Sequence, residues 1–297
     1  MRGIFCFSVL IVFCFELSAQ HYSLFSQYVV NGLVVNPAYA GKNEAMDITL
    51  LNRRQWAGFR GAPYTTSFSV NTPLNNPSSN VGFIYQNDKL GNFRSHILSG
   101  IYAYRINFGD VKLSFGMQGG WKCDVSNMDE PLKRNDQGDV VLENSSRNCN
   151  QFFAGTGLYL HSENYFFGIS KPWLYQTLLG TKSNPLLVSG GAVLKLKNNH
   201  EIKPAFLLRY ISNSPLQLDL GLNYYYQSRF GIGFALRTEE SFVFLVEYLL
   251  NNQFKMGFSY DAGRGPLAGK HAGTTEFMLR YFFGFTQEAR NPRAFIF

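Results

Sequence analysis

Beyond residue 43 the chain alternates apolar and polar positions almost without a break. Between Pro215 and Gln227, Leu216, Leu218, Leu220, Leu222, Tyr224 and Tyr226 share one phase, while Gln217, Asp219, Gly221, Asn223 and Tyr225 share the other. The same period runs through Val111–Met117, Phe230–Leu236, Phe242–Tyr248 and Phe254–Tyr260. A period of two puts successive side chains on opposite faces of a β-strand. Fourteen such segments start near Glu44, Pro63, Ser79, Asn92, Asp110, Gln151, Glu163, Leu186, Glu201, Pro215, Ser228, Ser241, Asn252 and Ala272. Most approach or exceed the roughly 9–11 residues that carry a tilted strand across a bilayer, and few are as short as soluble strands of about 5–6.

Every second connection between segments is short. One set is short: Thr72–Ser78, Gly109-Asp110, His161–Asn164, Asn198–His200, Gln227-Ser228 and Leu250–Asn252. The other set holds the long ones, Trp56–Ala62, Lys122–Asn150, Pro172–Pro185 and Asp261–His271, besides Asp88–Gly91, Ile211–Ser214 and Thr238–Glu240. Outer-membrane barrels have short periplasmic turns and longer extracellular loops, so the asymmetry predicts a periplasmic start. Backbone groups in lipid have no water to bond, so the sheet must close. The expected fold is all-β: a transmembrane antiparallel barrel of about 14 strands over residues 44–285. A soluble two-sheet protein is the competing architecture, with the apolar faces turned inward.

Composition favours the membrane. Of 297 residues, 28 are Phe and 17 Tyr, while charged residues make up only 16%, below the quarter or so usual for soluble proteins. Past residue 20 no apolar run reaches the roughly 18 residues of a spanning helix. The first segment, MRGIFCFSVLIVFCFELSAQ, combines Arg2, an apolar stretch and the small pair Ser18-Ala19. It reads as a secretory signal, residues 1–19, cleaved before Gln20. Residues 20–43 then form an N-terminal segment that is periplasmic or lumenal, and residues 286–297 a tail after the last strand.

Chemistry is sparse. The five histidines are isolated, and neither Cys-x-x-Cys nor His-x-x-x-His occurs, so no metal site, cofactor or catalytic group is expected. His271 beside Asp261 reads as a solvated loop histidine. Cys123 and Cys149 are the two cysteines left after the signal; in an exported chain a loop-closing disulfide is possible between them. The net charge of +7 is scattered over the strands rather than clustered, so nucleic acid is not a partner. Paired strand glycines such as Gly155/Gly157 and Gly231/Gly233 read as bends or close backbone approaches.

Two stretches carry a resemblance. FSQYVVNGLVVNPAYAG (Phe25–Gly41) follows the signal, and RRQWAGFRGAPYTTSFSVNTPL (Arg53–Leu74) spans the first hairpin. Together they resemble the PorP/SprF family of type IX secretion system outer-membrane proteins. A weaker similarity reaches GTTEFMLRYFF (Gly273–Phe283), where the family more usually has Gly-Ser-His-Glu; Thr274 and Thr275 depart from that pattern and Glu276 keeps it. The resemblance implies a non-enzymatic outer-membrane barrel of the secretion and gliding machinery, binding periplasmic ring subunits or anchoring exported adhesins. Its motif residues here are Phe25, Ser26, Gln27, Tyr28, Asn36, Pro37, Ala38, Tyr39 and Gly41, with Gln55, Trp56, Gly58, Phe59, Gly61 and Pro63. The bulk pattern also admits a diffusion channel for small solutes. A 14-strand barrel is wider than its own side chains can fill, so Phe25–Gly41 could pack inside it; the alternative is a leader without fixed structure.

Overall fold

A computed structural model describes residues 25–126, 147–176, 184–212, 214–238, 241–264 and 272–283. The signal segment, the 286–297 tail, His21 and His271 lie outside them. The strands are β1 (Met46–Arg54), β2 (Tyr64–Pro73), β3 (Ser79–Leu90), β4 (Phe93–Phe108), β5 (Val111–Ser126), β6 (Arg147–His161) and β7 (Tyr165–Gln176). They continue as β8 (Leu186–Ala192), β9 (Leu194–Lys195), β10 (Glu201–Tyr210), β11 (Gln217–Tyr226), β12 (Phe230–Arg237), β13 (Ser241–Leu249), β14 (Phe254–Gly263) and β15 (Thr274–Phe283). β8 and β9 are two pieces of one crossing, broken at Val193, and both pair with β10. The sheet therefore has 14 crossings. Each is antiparallel to its sequence neighbour, and β1 closes the ring on β15 from Met46↔Phe283 to Arg54↔Thr275.

The two phases of the pattern become two environments. On β11, Leu220 and Leu222 are 49% and 54% exposed, whereas Asp219 and Asn223 on the other face are buried. On β13, Phe242, Phe244, Val246 and Tyr248 face outward, while Ser241, Val243, Leu245 and Glu247 are buried. An outward belt of Phe, Tyr and Leu with inward Ser, Asp, Glu and Arg is the arrangement lipid requires around a polar interior. Leu220→Arg should therefore cost about 2–4 kcal/mol, the range for a basic residue near the bilayer midplane. Urea unfolding in lipid vesicles measures this, and a loss below about 0.5 kcal/mol, ordinary for an exposed site, would remove Leu220 from the lipid face.

The wall is uneven. β4 and β5 have 16 residues each and β6 has 15, against 8 to 10 for β10 through β15. The extra length lies at the extracellular end, where the outward side chains change from Leu98 and Tyr102 to His96 and Arg94. Two loop expectations are corrected here. Cys123 and Cys149 stand on β5 and β6 rather than in a loop, and their sulfurs are bonded across the pair beside a register shift between Lys122 and Asp124. Asp261 lies on β14 inside the barrel, 3% exposed, not in the last long loop. In both places alternation of apolar residues stops above the lipid while the backbone ladder continues, so polarity alone ended the predicted strand too early.

Candidate functional site

The barrel's interior is occupied by the chain's own N-terminal segment. Phe25, Leu33, Ala38, Tyr39 and Ala40 are all at most 3% exposed. Leu33, Ala38 and Tyr39 pack with Ile84, Ile101, Ala103, Tyr159 and Phe166; Tyr28 and Val35 with Leu187 and Leu207; Phe25 and Val30 with Leu51 and Met278. These partners come from β1, β3, β4, β6, β7, β8, β10 and β15. Fully burying one such side chain contributes about 1.5–3 kcal/mol.

Local sequence shapes the segment into short turns. Gly32–Val34 and Pro37–Tyr39 are single turns of 3-10 helix. The second starts where Asn36 accepts a hydrogen bond from the Ala38 amide at 2.9 Å, with Pro37 in the first helical position, where its missing N–H costs nothing. The Asn36 side-chain amide also donates to the Leu158 carbonyl at 2.8 Å, fixing the turn to β6. The walls leave room for it. A Cβ on Gly116 would stand 2.1 Å from the Ala38 nitrogen, and one on Gly157 2.1 Å from Asn36 Oδ1. Gly41 ends the passage with φ of +68°, a left-handed conformation suited to glycine.

Polar groups fasten both ends of the segment. Toward the extracellular side, the Ser26 and Gln27 amides donate to the two carboxylate oxygens of Glu276, at 2.7 and 3.1 Å. The Ser26 hydroxyl donates to Asp261 at 2.7 Å and accepts from Arg53 and Arg237 at 3.1 and 3.3 Å. Arg53 pairs with both Asp261 and Glu276, and Arg237 with Asp219; every one of these side chains is buried. Toward the periplasmic side, Arg280 donates to the Val30 carbonyl and to the Tyr39 hydroxyl, and pairs with Asp47. The Gly41 amide donates to Asn71, and Arg105 to the Ala40 carbonyl. Burial raises the pKa of the Tyr28 and Tyr39 phenols, which keeps both neutral.

The predicted motif residues fall into two groups. Phe25, Ser26, Gln27, Tyr28, Asn36, Pro37, Ala38, Tyr39 and Gly41 are buried in the lumen. Gln55, Trp56, Gly58, Phe59, Gly61 and Pro63 lie in the β1–β2 connection on the extracellular rim, where Ala57 bonds to Gly273 and Gly61 to Gly91. The structure does not bring the second group against the first. What joins the three similar stretches is a set of charges: Arg53 from the second and Glu276 from the third both hold Ser26 of the first. Asp261, Arg237 and Asp219, with no motif to mark them, complete that set. Their signal was available as charged residues on the inward phase of amphipathic strands.

The set is a fastening rather than a reactive centre. Its one hydroxyl, on Ser26, faces carboxylates and guanidinium groups, with no imidazole beside it to act as base. Among the described residues no cluster of three His, Cys, Asp or Glu side chains could hold a metal ion.

A family model described as type IX secretion system membrane protein PorP/SprF matches residues 17–281. No curated protein matches the sequence. Among solved structures, the Acinetobacter baumannii outer membrane protein Omp33 is similar at 8% identity, over 81% of this chain and 98% of its own, with a TM-score of 0.49. The outer membrane phospholipase A of Escherichia coli is similar at 12% identity over 80% and 96%, with a TM-score of 0.39. A KdgM porin is similar at 10% identity over 80% and 99%, with a TM-score of 0.37. These are likenesses of barrel to barrel and bear on no activity.

Proposed function

This chain belongs to the PorP/SprF family of type IX secretion system membrane proteins, and from that premise we propose that it is a non-enzymatic outer-membrane barrel that works by binding proteins. Its partners are other parts of the secretion machine, the periplasmic ring subunits first, with exported adhesins as cargo held at the surface. The observation that carries this reading is the filled lumen. A diffusion channel needs a continuous aqueous path lined by groups that tune selectivity. Here Phe25–Gly41 packs against β1, β3, β4, β6, β7, β8, β10 and β15 and bonds to Arg237 on β12 and Asp261 on β14, which argues against a channel for small solutes. Enzyme chemistry lacks support as well, since the Ser26 hydroxyl bonds a carboxylate, Asp261, that is already paired with Arg53. A sealed barrel offers its two rims and its lipid-facing wall, which are surfaces for partners.

The test is co-purification. The full-length protein, carrying a tag after its last residue and solubilised from outer membrane in mild detergent, should bring down periplasmic secretion-ring proteins. Recovery of the barrel alone, with the ring intact elsewhere in the same membranes, would contradict the reading.

A further inference from the structure

The exposed charges at the two rims differ. At the periplasmic end acids and bases pair, Glu44 with Lys112 and Glu163 with Lys195. At the extracellular end, along the arc from β14 through β15 and β1 to β4, the exposed charges of the described residues are all basic: Arg54, Arg60, Lys89, Arg94 and Arg264. No ion pair joins any of these five to a described residue.

Their height follows from the strands. Arg54, Lys89 and Arg94 lie on the outward phase, each four residues above a side chain of the lipid-facing belt, Leu50, Tyr85 and Leu98 respectively. Four residues of a strand tilted by about 40° climb about 10 Å. The headgroup layer adds about 5–8 Å to each side of the hydrocarbon core, so these cations stand at its level or just above it. Arg264 reaches the same face, its guanidinium carbon 4.8 Å from the centre of the outward Phe242 ring. Lys89 and Arg94 are direct partners in the β3–β4 register, and Tyr64 pairs with both Arg54 and Lys89, so three cations share one cross-strand row. Like charges set opposite each other destabilise a sheet. Among the described residues no Asp or Glu on the outward phase of β1 to β5, β14 or β15, or in the connections 55–63 and 91–92, offsets them. An anion supplied from outside the chain would turn that repulsion into attraction.

We propose that this row binds a phosphorylated glycolipid of the outer leaflet, with Lys89 and Arg94 gripping one phosphate from two strands and Arg54, two strands away, available to a second. Arginine presents a planar fork of donors that matches phosphate oxygens. Position selects a lipid over free phosphate, because acyl chains hanging from that phosphate would lie along Leu50, Tyr85 and Leu98 directly beneath. The site needs only an outer-membrane barrel, whichever proteins that barrel binds.

Native mass spectrometry of the purified full-length barrel, titrated in mild detergent with bisphosphorylated lipid A, tests it. Saturable binding is expected, weakening roughly thirtyfold when Lys89→Gln and Arg94→Gln are combined, since each near-surface cation is worth a factor of about five. Arg54→Gln should weaken it about fivefold by itself and covers the case in which the double variant misfolds; heat-modifiable migration reports the folding of both. The same loss of charge at the periplasmic rim, Lys195→Gln with Lys197→Gln, should leave binding unchanged. Lipid A stripped of its phosphates should bind roughly tenfold more weakly or worse, and inorganic phosphate at matched concentration should not displace the intact lipid. Undiminished binding by the folded variants overturns the proposal. So does an equal loss in the two double variants, which would make the effect one of net charge. Full binding of the stripped lipid would leave only the acyl chains as the cause, and displacement by inorganic phosphate would leave a free-anion site; either result overturns it too.

Discussion

Deleting residues 25–35 is expected to turn a closed barrel into a conducting one. In planar bilayers the full-length protein should show little current, and the deleted form stepwise openings larger by about tenfold or more, since a 14-strand ring without contents encloses a water-filled bore. The wall should survive. Arg53 keeps Asp261 and Glu276, Arg237 keeps Asp219, and Arg280 keeps Asp47, so the exposed charges remain compensated once water enters. The deleted protein should still insert and resist heat in detergent, while secretion fails. A full-length protein that conducts as widely as the deleted form would show that the segment does not seal the lumen. A deleted form that never becomes heat-resistant would make it part of folding instead.

Arg280→Met should be the most damaging single substitution in the lumen. Its guanidinium is 2% exposed and serves Asp47, the Val30 carbonyl and the Tyr39 hydroxyl together. Removing it strands Asp47, 1% exposed, with no cation in contact, and unfastens the segment at two points. Breaking a buried pair from one side costs about 3–5 kcal/mol, because the remaining charge stays desolvated. Adding Asp47→Asn should recover a large part of that loss, since the double variant carries no orphan charge. Urea unfolding in vesicles supplies both numbers, and a double variant no more stable than Arg280→Met alone would locate the cost elsewhere.

The wall of this molecule was readable from its sequence because lipid imposes a rule on every crossing. A strand such as β11 must be apolar at Leu218, Leu220 and Leu222 and is free to be polar at Asp219 and Asn223, so period and face follow together. The contents were not readable in the same way. Inward positions hold Ser, Gly, Asn and paired charges whether a barrel is filled with water or with protein. Gly116 and Gly157 were the exception, since only a close neighbour requires their lack of a side chain, yet glycine in a strand has several ordinary explanations. Family resemblance pointed at Phe25–Gly41 without saying where it lies. Arg53 and Glu276 were inside the similar stretches, but their role emerged only when β1 and β15, far apart in sequence, closed on Ser26. Above the lipid the rule lapses, and there the predicted ends of β5, β6 and β14 fell short.

That meeting at Ser26 also orders events in time. Two of the strands that hold it, β1 through Arg53 and β15 through Glu276, are the two that join to complete the ring, and β15 is the last strand in the sequence. The bonds from Ser26 and Gln27 to Glu276 therefore cannot form until β15 is in place. Once the ring has closed, a segment as broad as this one has no easy way in past the turns at its mouth. The N-terminal segment is therefore expected to be enclosed as the β1–β15 seam closes, so that the finished barrel carries, in its centre, a record of which end came first.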